Sequence, residues 1–232
     1  MNSVVINDIN QKDCEFKLDN IHLVLITSVL KPKIEKNVYT EEQRFSQLLE
    51  TIMSVKKKIP NYYIVIIEGT PYSEYQKKII LKMGCNIFYV NVDNFNKQFG
   101  EVFLLRTFVL SDFFENLKKN IKILSINKIS GRYTLNKNFV FYYDDETCVC
   151  KIINPSDSYS KKGLILTRYY SIPFKYLNNY VEGLTKCLKQ IFINIEHSFY
   201  LYNVIPIDKI NKNITKINVC GNLAPNGEYV ED

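Results

Sequence analysis

The chain has 232 residues, 46% of them apolar and 23% charged, and a net charge of +6. That length buries a substantial core without disulfide or metal staples. The positive charge is spread along the chain, so it favours phosphorylated or polyanionic ligands but falls short of a nucleic-acid footprint. The apolar runs are strand-length, too short to cross a bilayer.

Residues 1–20 read as a leader or a small edge element, polar and partly acidic rather than secretory, so a cytoplasmic chain is expected. Residues 21–30 form a continuous apolar run ending before Pro32, the pattern of a strand buried on both faces. Thr40 with Gln43 gives a capping box, and Phe45, Leu48, Leu49, Ile52 and Met53 then repeat at helical spacing until Pro60. The unit recurs. Tyr62–Glu68 is a strand, Ser73 with Gln76 caps a helix, and Gly84 ends it. A third strand is expected over 87–92, one long helix over 100–119, and a fourth strand over 121–126. Alternating β and α units predict a parallel sheet with right-handed crossovers.

Beyond Tyr133 the pattern changes. Residues 139–143 and 147–153 flank Asp144-Asp145-Glu146 and read as a hairpin with an acidic tip. Residues 163–170 are a strand, Pro173 stands where a helix would start, and Leu188, Ile191, Phe192, Ile195, Phe199 and Tyr202 stripe a final long helix. The tail, 217–232, carries a short strand and an Asn226-Gly227 turn. One domain is expected throughout, with a nucleotide-binding half over about 21–133 and an acceptor half over 134–232. The six cysteines lack metal-site spacing and read as buried thiols.

Several residues stand where chemistry is expected, because ligands of open α/β sheets gather at the carboxyl ends of strands. Thr27, Ser28 and Val29 close strand one, and Glu68 closes strand two, where a carboxylate could meet a ribose or a base. Asp93 ends strand three with less weight. Strand four runs into Lys128-Ile129-Ser130-Gly131-Arg132, a basic turn whose glycine would let a ligand approach the backbone. Walker A, G-x-G-x-x-G, HExxH and G-x-S-x-G sequences are missing.

This layout, with Thr27-Ser28-Val29, Arg44-Phe45, Glu68-Gly69-Thr70, Gly100-Glu101 and the closing 221–228 stretch, resembles GT-A-fold glycosyltransferases. The likeness is to small glycosyltransferase domains of large DNA viruses, such as chlorovirus enzymes that decorate capsid protein, and to bacterial polysaccharide relatives. A viral origin would put the chain in host cytoplasm. The resemblance implies an α/β fold whose Rossmann-like N-terminal half, flanked by helices, binds a nucleotide sugar on a mixed sheet. It implies a UDP- or GDP-type donor, a glycan or glycoprotein acceptor, and a Mn²⁺ or Mg²⁺ held by a DxD motif after the fourth strand. That address holds Ser130-Gly131-Arg132 instead.

Glycosyl transfer builds negative charge on the leaving diphosphate, and some cation must meet it. Without the carboxylates, Arg132 and Lys128 are expected to do so in a metal-independent or metal-tolerant reaction. Thr27, Ser28, Val29, Arg44, Glu68, Glu101, Lys128, Ser130 and Gly131 are then the expected donor-binding residues. Glu196, beside the buried stripe of the last helix, is the expected base, with His197 turned toward solvent. The competing reading is a non-catalytic nucleotide- or glycan-binding module on the same fold. A nucleotidyltransferase would need metal carboxylates and a basic triphosphate loop that the sequence lacks.

Overall fold

A computed structural model of the chain describes residues 7–8, 20–32, 38–91, 97–156, 163–190, 194–223 and 227–232. Its frame is a seven-stranded sheet built from β1 (Asn7–Asp8), β2 (Ile21–Ser28), β3 (Tyr62–Glu68), β4 (Asn86–Tyr89), β5 (Ile123–Ser130), β7 (Val149–Ile153) and β8 (Leu164–Pro173), in the order β1-β4-β3-β2-β5-β8-β7. The four strands β4-β3-β2-β5 run parallel, as the alternating pattern predicts. β1 pairs antiparallel with β4, and β8 and β7 add an antiparallel wing beyond β5. A second sheet, β10-β9-β6, joins β6 (Tyr133–Leu135), β9 (Val219–Asn222) and β10 (Tyr229–Glu231).

Burial on both faces is what makes the parallel strands continuous apolar runs. Leu23, Leu25, Val65 and Ile67 pack against the layer of α3 (Lys97–Val109), α4 (Asp112–Asn120), α5 (Leu177–Lys189) and α6 (Ile195–Leu201). Val24, Ile26, Ile64 and Ile66 pack against α1 (Glu41–Lys58) and α2 (Glu74–Lys82). Each such side chain contributes about 1.5–3 kcal/mol of transfer free energy. Both capping boxes form as expected, at Thr40/Gln43 and Ser73/Gln76. Gln76 also donates to Glu41 at 3.0 Å, which ties the starts of α1 and α2 together. Cys85 lies in the α1/α2 layer and Cys148, Cys150 and Cys187 in the other, all four buried as free thiols.

Four expectations are corrected. The helix expected over 100–119 is two helices, because Ser111 Oγ accepts from Phe114 N and starts α4. The expected last long helix is α5 and α6, the latter begun by Asn194 accepting from His197 N; Ile191 and Phe192, like Asp93 and Asn226, lie outside the described residues. No hairpin forms at 139–153. Asp144 instead gathers Tyr142 OH, Glu146 N, Thr147 N and Thr147 Oγ1, so its carboxylate organises a loop while β7 pairs with β8. Finally, β5 runs to Ser130, so Lys128 is a strand residue with its side chain in the core, and the turn proper is Gly131-Arg132.

Candidate functional site

From β2 the chain steps outward to β3 and β4, then returns to place β5 on the other side of β2. Such a reversal opens a crevice beyond the carboxyl ends of the two central strands. Thr27, Ser28 and Val29 stand at the end of β2, and Ser130, Gly131 and Arg132 at the end of β5. Gly131 N donates to Thr27 O at 2.9 Å, tying the ends of β2 and β5 together. A Cβ on Gly131 would sit 3.1 Å from Leu48 Cδ1 and 3.4 Å from Thr27 O. The glycine therefore admits helix α1 against the sheet. Val29 packs, half-buried, against the core.

Strand alternation sorts the polar residues onto two faces. On the α1/α2 face, Glu68 is fully buried. Its Oε1 accepts from Leu30 N at 3.1 Å, Thr70 N at 2.9 Å and Thr70 Oγ1 at 2.7 Å. Oε2 has no hydrogen-bond partner among the described residues. Burial pushes the carboxyl pKa up, and the hydrogen bonds from Thr70 and Leu30 only partly offset this. Glu68, expected near a ribose or base, knits the loops after β2 and β3 together. Arg44, on the first turn of α1, is also buried. Burial and then the charge of Arg132 bring its pKa down to about 10, against the pull of Glu68, so it stays a cation at neutral pH.

On the opposite face Lys128 is 0% exposed. Its Nζ donates to Glu101, to Ser130 Oγ at 2.8 Å and to Thr167 O at 2.6 Å. An ammonium has three donors, and all three are used. Lys128, expected at the donor phosphates, fixes α3, β5 and β8 around one buried point. Burial lowers its pKa, with the Glu101 carboxylate resisting. Glu101 lies within α3, whose first residue is Lys97, so its role is this ion pair rather than helix-start chemistry.

Glu196 occupies the first turn of α6, half-buried. Desolvation raises its carboxyl pKa, and the charge of Glu101 adds to this, while Lys128 and Arg168 pull the other way. Glu101, Lys128, Arg168 and Glu196 are therefore close enough to feel one another. His197 is buried, its Nδ1 2.6 Å from Asn194 Oδ1, which corrects its expected solvent-facing position. The short helix α6, capped by Asn194, buries His197 and Ser198 together with the expected stripe residues Ile195 and Phe199.

The charge of Arg132 acts on both Arg44 and Lys128. Its guanidinium carbon lies 5.6 Å from the centre of the Tyr133 ring, and its Nε is buried with no hydrogen-bond partner among the described residues. The structure brings in one further cation that sequence reasoning missed. Arg168 of β8 stands 5.7 Å from the same ring and pairs with Asp232 at 2.8 Å. A charged residue inside the otherwise apolar and hydroxylic strand Leu164–Pro173 was the available signal.

The donor set at the DxD address does not fit a divalent cation, since it offers Arg132 and the Lys128 ammonium where carboxylates would be needed. Among the described residues no three His, Cys, Asp or Glu side chains gather as a metal site requires.

The chain matches no protein-family model and no curated protein sequence. Its layout resembles that of solved glycosyltransferases. It is similar to the glycosyltransferase GlyE of Streptococcus pneumoniae TIGR4 at 13% identity and a TM-score of 0.48, with 83% of this chain aligned. The chain spans about half the length of that enzyme, 45% of it. It is similar to a glycosyltransferase involved in glycosylation of the major capsid of PBCV-1, at 8% identity and a TM-score of 0.42, over 82% of this chain and 78% of the other. A Drosophila β-1,4-galactosyltransferase 7 mutant in complex with manganese, UDP-Gal and xylobiose aligns at 11% identity and a TM-score of 0.40, over 90% of this chain and 70% of that one. No helix among the described residues is long and apolar enough to cross a membrane.

Proposed function

We propose that this chain is a glycosyltransferase that moves a sugar from a UDP- or GDP-type nucleotide donor to a glycan or glycoprotein acceptor without a catalytic metal. The observation carrying the reading is Arg132, at the switch point of the parallel sheet, with a buried Nε that no described residue satisfies. A buried guanidinium nitrogen costs free energy unless something accepts its proton, and a phosphate oxygen does so with matching geometry. Arg44 adds a second cation behind it. Cations fixed in place before the reaction stabilise the diphosphate as the anomeric bond breaks, without reorganising.

Glu196 serves as the base for the acceptor hydroxyl. A carboxyl with a raised pKa holds a proton more firmly than an exposed one, so it accepts the acceptor's proton more readily once ionised. Thr27, Ser28 and Ser130 line the strand ends with hydroxyls and backbone amides suited to the nucleotide. Glu68, Glu101 and Lys128 hold that lining in shape. The reaction is expected to be inverting, since one base and one anion site suffice for a single displacement.

The test is release of UDP or GDP from a panel of nucleotide sugars, with and without a chelator. Turnover that survives the chelator and falls about 10²–10³-fold in Arg132→Ala supports the reading. Binding of nucleotide sugars with no release in any combination would instead favour a non-catalytic binding module.

A further inference from the structure

Tyr133 opens β6 directly after the Arg132 turn and is almost fully buried. Arg132 and Arg168 both stand against its ring, 5.6 and 5.7 Å from the centre, so one aromatic side chain sets the position of two guanidiniums. Arg168 reaches this place from β8. The ladder pairs Ile129 with Tyr169, which puts Arg168 beside the carboxyl end of β5. Its field reaches Glu196.

Among the described residues, Arg168 differs from Arg132 in having a carboxylate paired with it. Its Nη1 lies 2.8 Å from Asp232 Oδ1, the two side chains being 21% and 11% exposed. The backbone of Asp232 is held independently: its N donates to Val219 O at 3.0 Å and its O accepts from Asn218 N at 2.9 Å. Turning one short side chain therefore frees the guanidinium without unzipping a strand.

We infer that Arg132, Tyr133 and Arg168 form a diphosphate clamp, and that the Asp232 carboxylate holds Arg168 until a substrate diphosphate displaces it. This rests on the transferase reading for the identity of the diphosphate, but not for the clamp itself. An arginine with its fork already aimed needs little ordering when phosphate arrives. The internal carboxylate shields the cation from other anions, and it lowers apparent affinity by the fraction of time it occupies Arg168. Asp232 is thus a gate on donor affinity.

The experiment measures the affinity of inorganic pyrophosphate and of UDP, by calorimetry, for the unmodified chain, Asp232→Asn, Arg168→Met and the double variant. Asp232→Asn is expected to tighten both ligands about threefold to tenfold. Arg168→Met should weaken both by about tenfold, and in that background Asp232→Asn should have no further effect. If Arg168→Met fails to fold, judged by circular dichroism, Arg168→Lys replaces it, since lysine keeps the charge and loses the fork.

Unchanged or weaker pyrophosphate binding in Asp232→Asn overturns the proposal. So does a tightening that persists without Arg168, or one seen for UDP and not for pyrophosphate. Tightening of pyrophosphate in a chain that turns over no nucleotide sugar would keep the clamp and sink the transferase reading.

Discussion

Lys128 has three N–H bonds to give, and Glu101, Ser130 and Thr167 accept all of them. Replacing it with methionine strands the Glu101 carboxylate and the Thr167 carbonyl inside the fold. Breaking a buried pair costs about 3–5 kcal/mol, and the partial exposure of Glu101 puts the expected loss near the lower figure. Urea denaturation of Lys128→Met measures it, and a change within about 0.5 kcal/mol, as for a surface substitution, would show that the ammonium holds nothing together. Glu196 gives a different signature. Its carboxyl pKa is raised, so the ionised base is scarce at low pH and accumulates as pH climbs through that raised value. Turnover should rise with pH over the same range. In Glu196→Gln it should fall about 10²–10⁴-fold and lose that rise. A variant whose pH profile keeps its acid limb would assign the base elsewhere.

Short elements around the Arg132 turn hold it from behind. Thr51 Oγ1 of α1 donates to Tyr133 O at 2.8 Å, and Ser54 Oγ accepts from Leu135 N at 3.1 Å, so α1 pins β6 with two hydroxyls. β9 comes so close that a Cβ on Gly221 would lie 2.3 Å from Arg132 O. Gly221→Ala should therefore push β9 off β6, costing about 1–3 kcal/mol and weakening UDP binding, both readable by thermal shift with and without nucleotide. Equal melting temperatures would show that the two strands part freely. The strands and caps of the parallel half were legible because burial on two faces and capping boxes are local signals: Tyr62–Glu68 and both boxes stand where the residues say. The breaks at Ser111 and Asn194 were harder to see, since each depends on one side chain bonding to a backbone amide inside a continuing apolar stripe. Site residues were least legible. Whether Glu68 and Lys128 face a ligand or the core is settled by which side of a strand they occupy and what tertiary neighbours lie there. Arg168 needed the antiparallel β8 to bring it to β5.

Across the whole molecule, protons act in opposite directions. His22 sits on the sheet with Nδ1 2.8 Å from Ser125 Oγ, between the rings of Phe141 and Tyr143, and Ser125, Asn127 and Tyr169 continue a buried polar chain. Burial lowers its pKa from 6.5. As pH falls below that figure the unfolded chain takes the proton first, so stability is lost with acidification. Glu68 and Glu196, with raised pKa values, do the reverse: their contribution is full below the unfolded value of 4.5 and fades as pH rises through the folded ones. Between about pH 7 and about pH 5 the two trends oppose each other. Removing the histidine in His22→Gln should leave the carboxyl trend alone, so the variant's melting temperature should rise on acidification relative to the unmodified chain. A parallel response of both proteins would deny His22 any part in it. The four interior thiols allow a finer measurement. Burial pushes Cys85, Cys148 and Cys187 up to about 12 and raises Cys150 as well. An alkylating reagent at neutral pH therefore finds almost no thiolate there until a layer lifts away. Because Cys85 reports one side of the sheet and the other three report its reverse, residue-resolved labelling times would tell whether the two helical layers open together or separately.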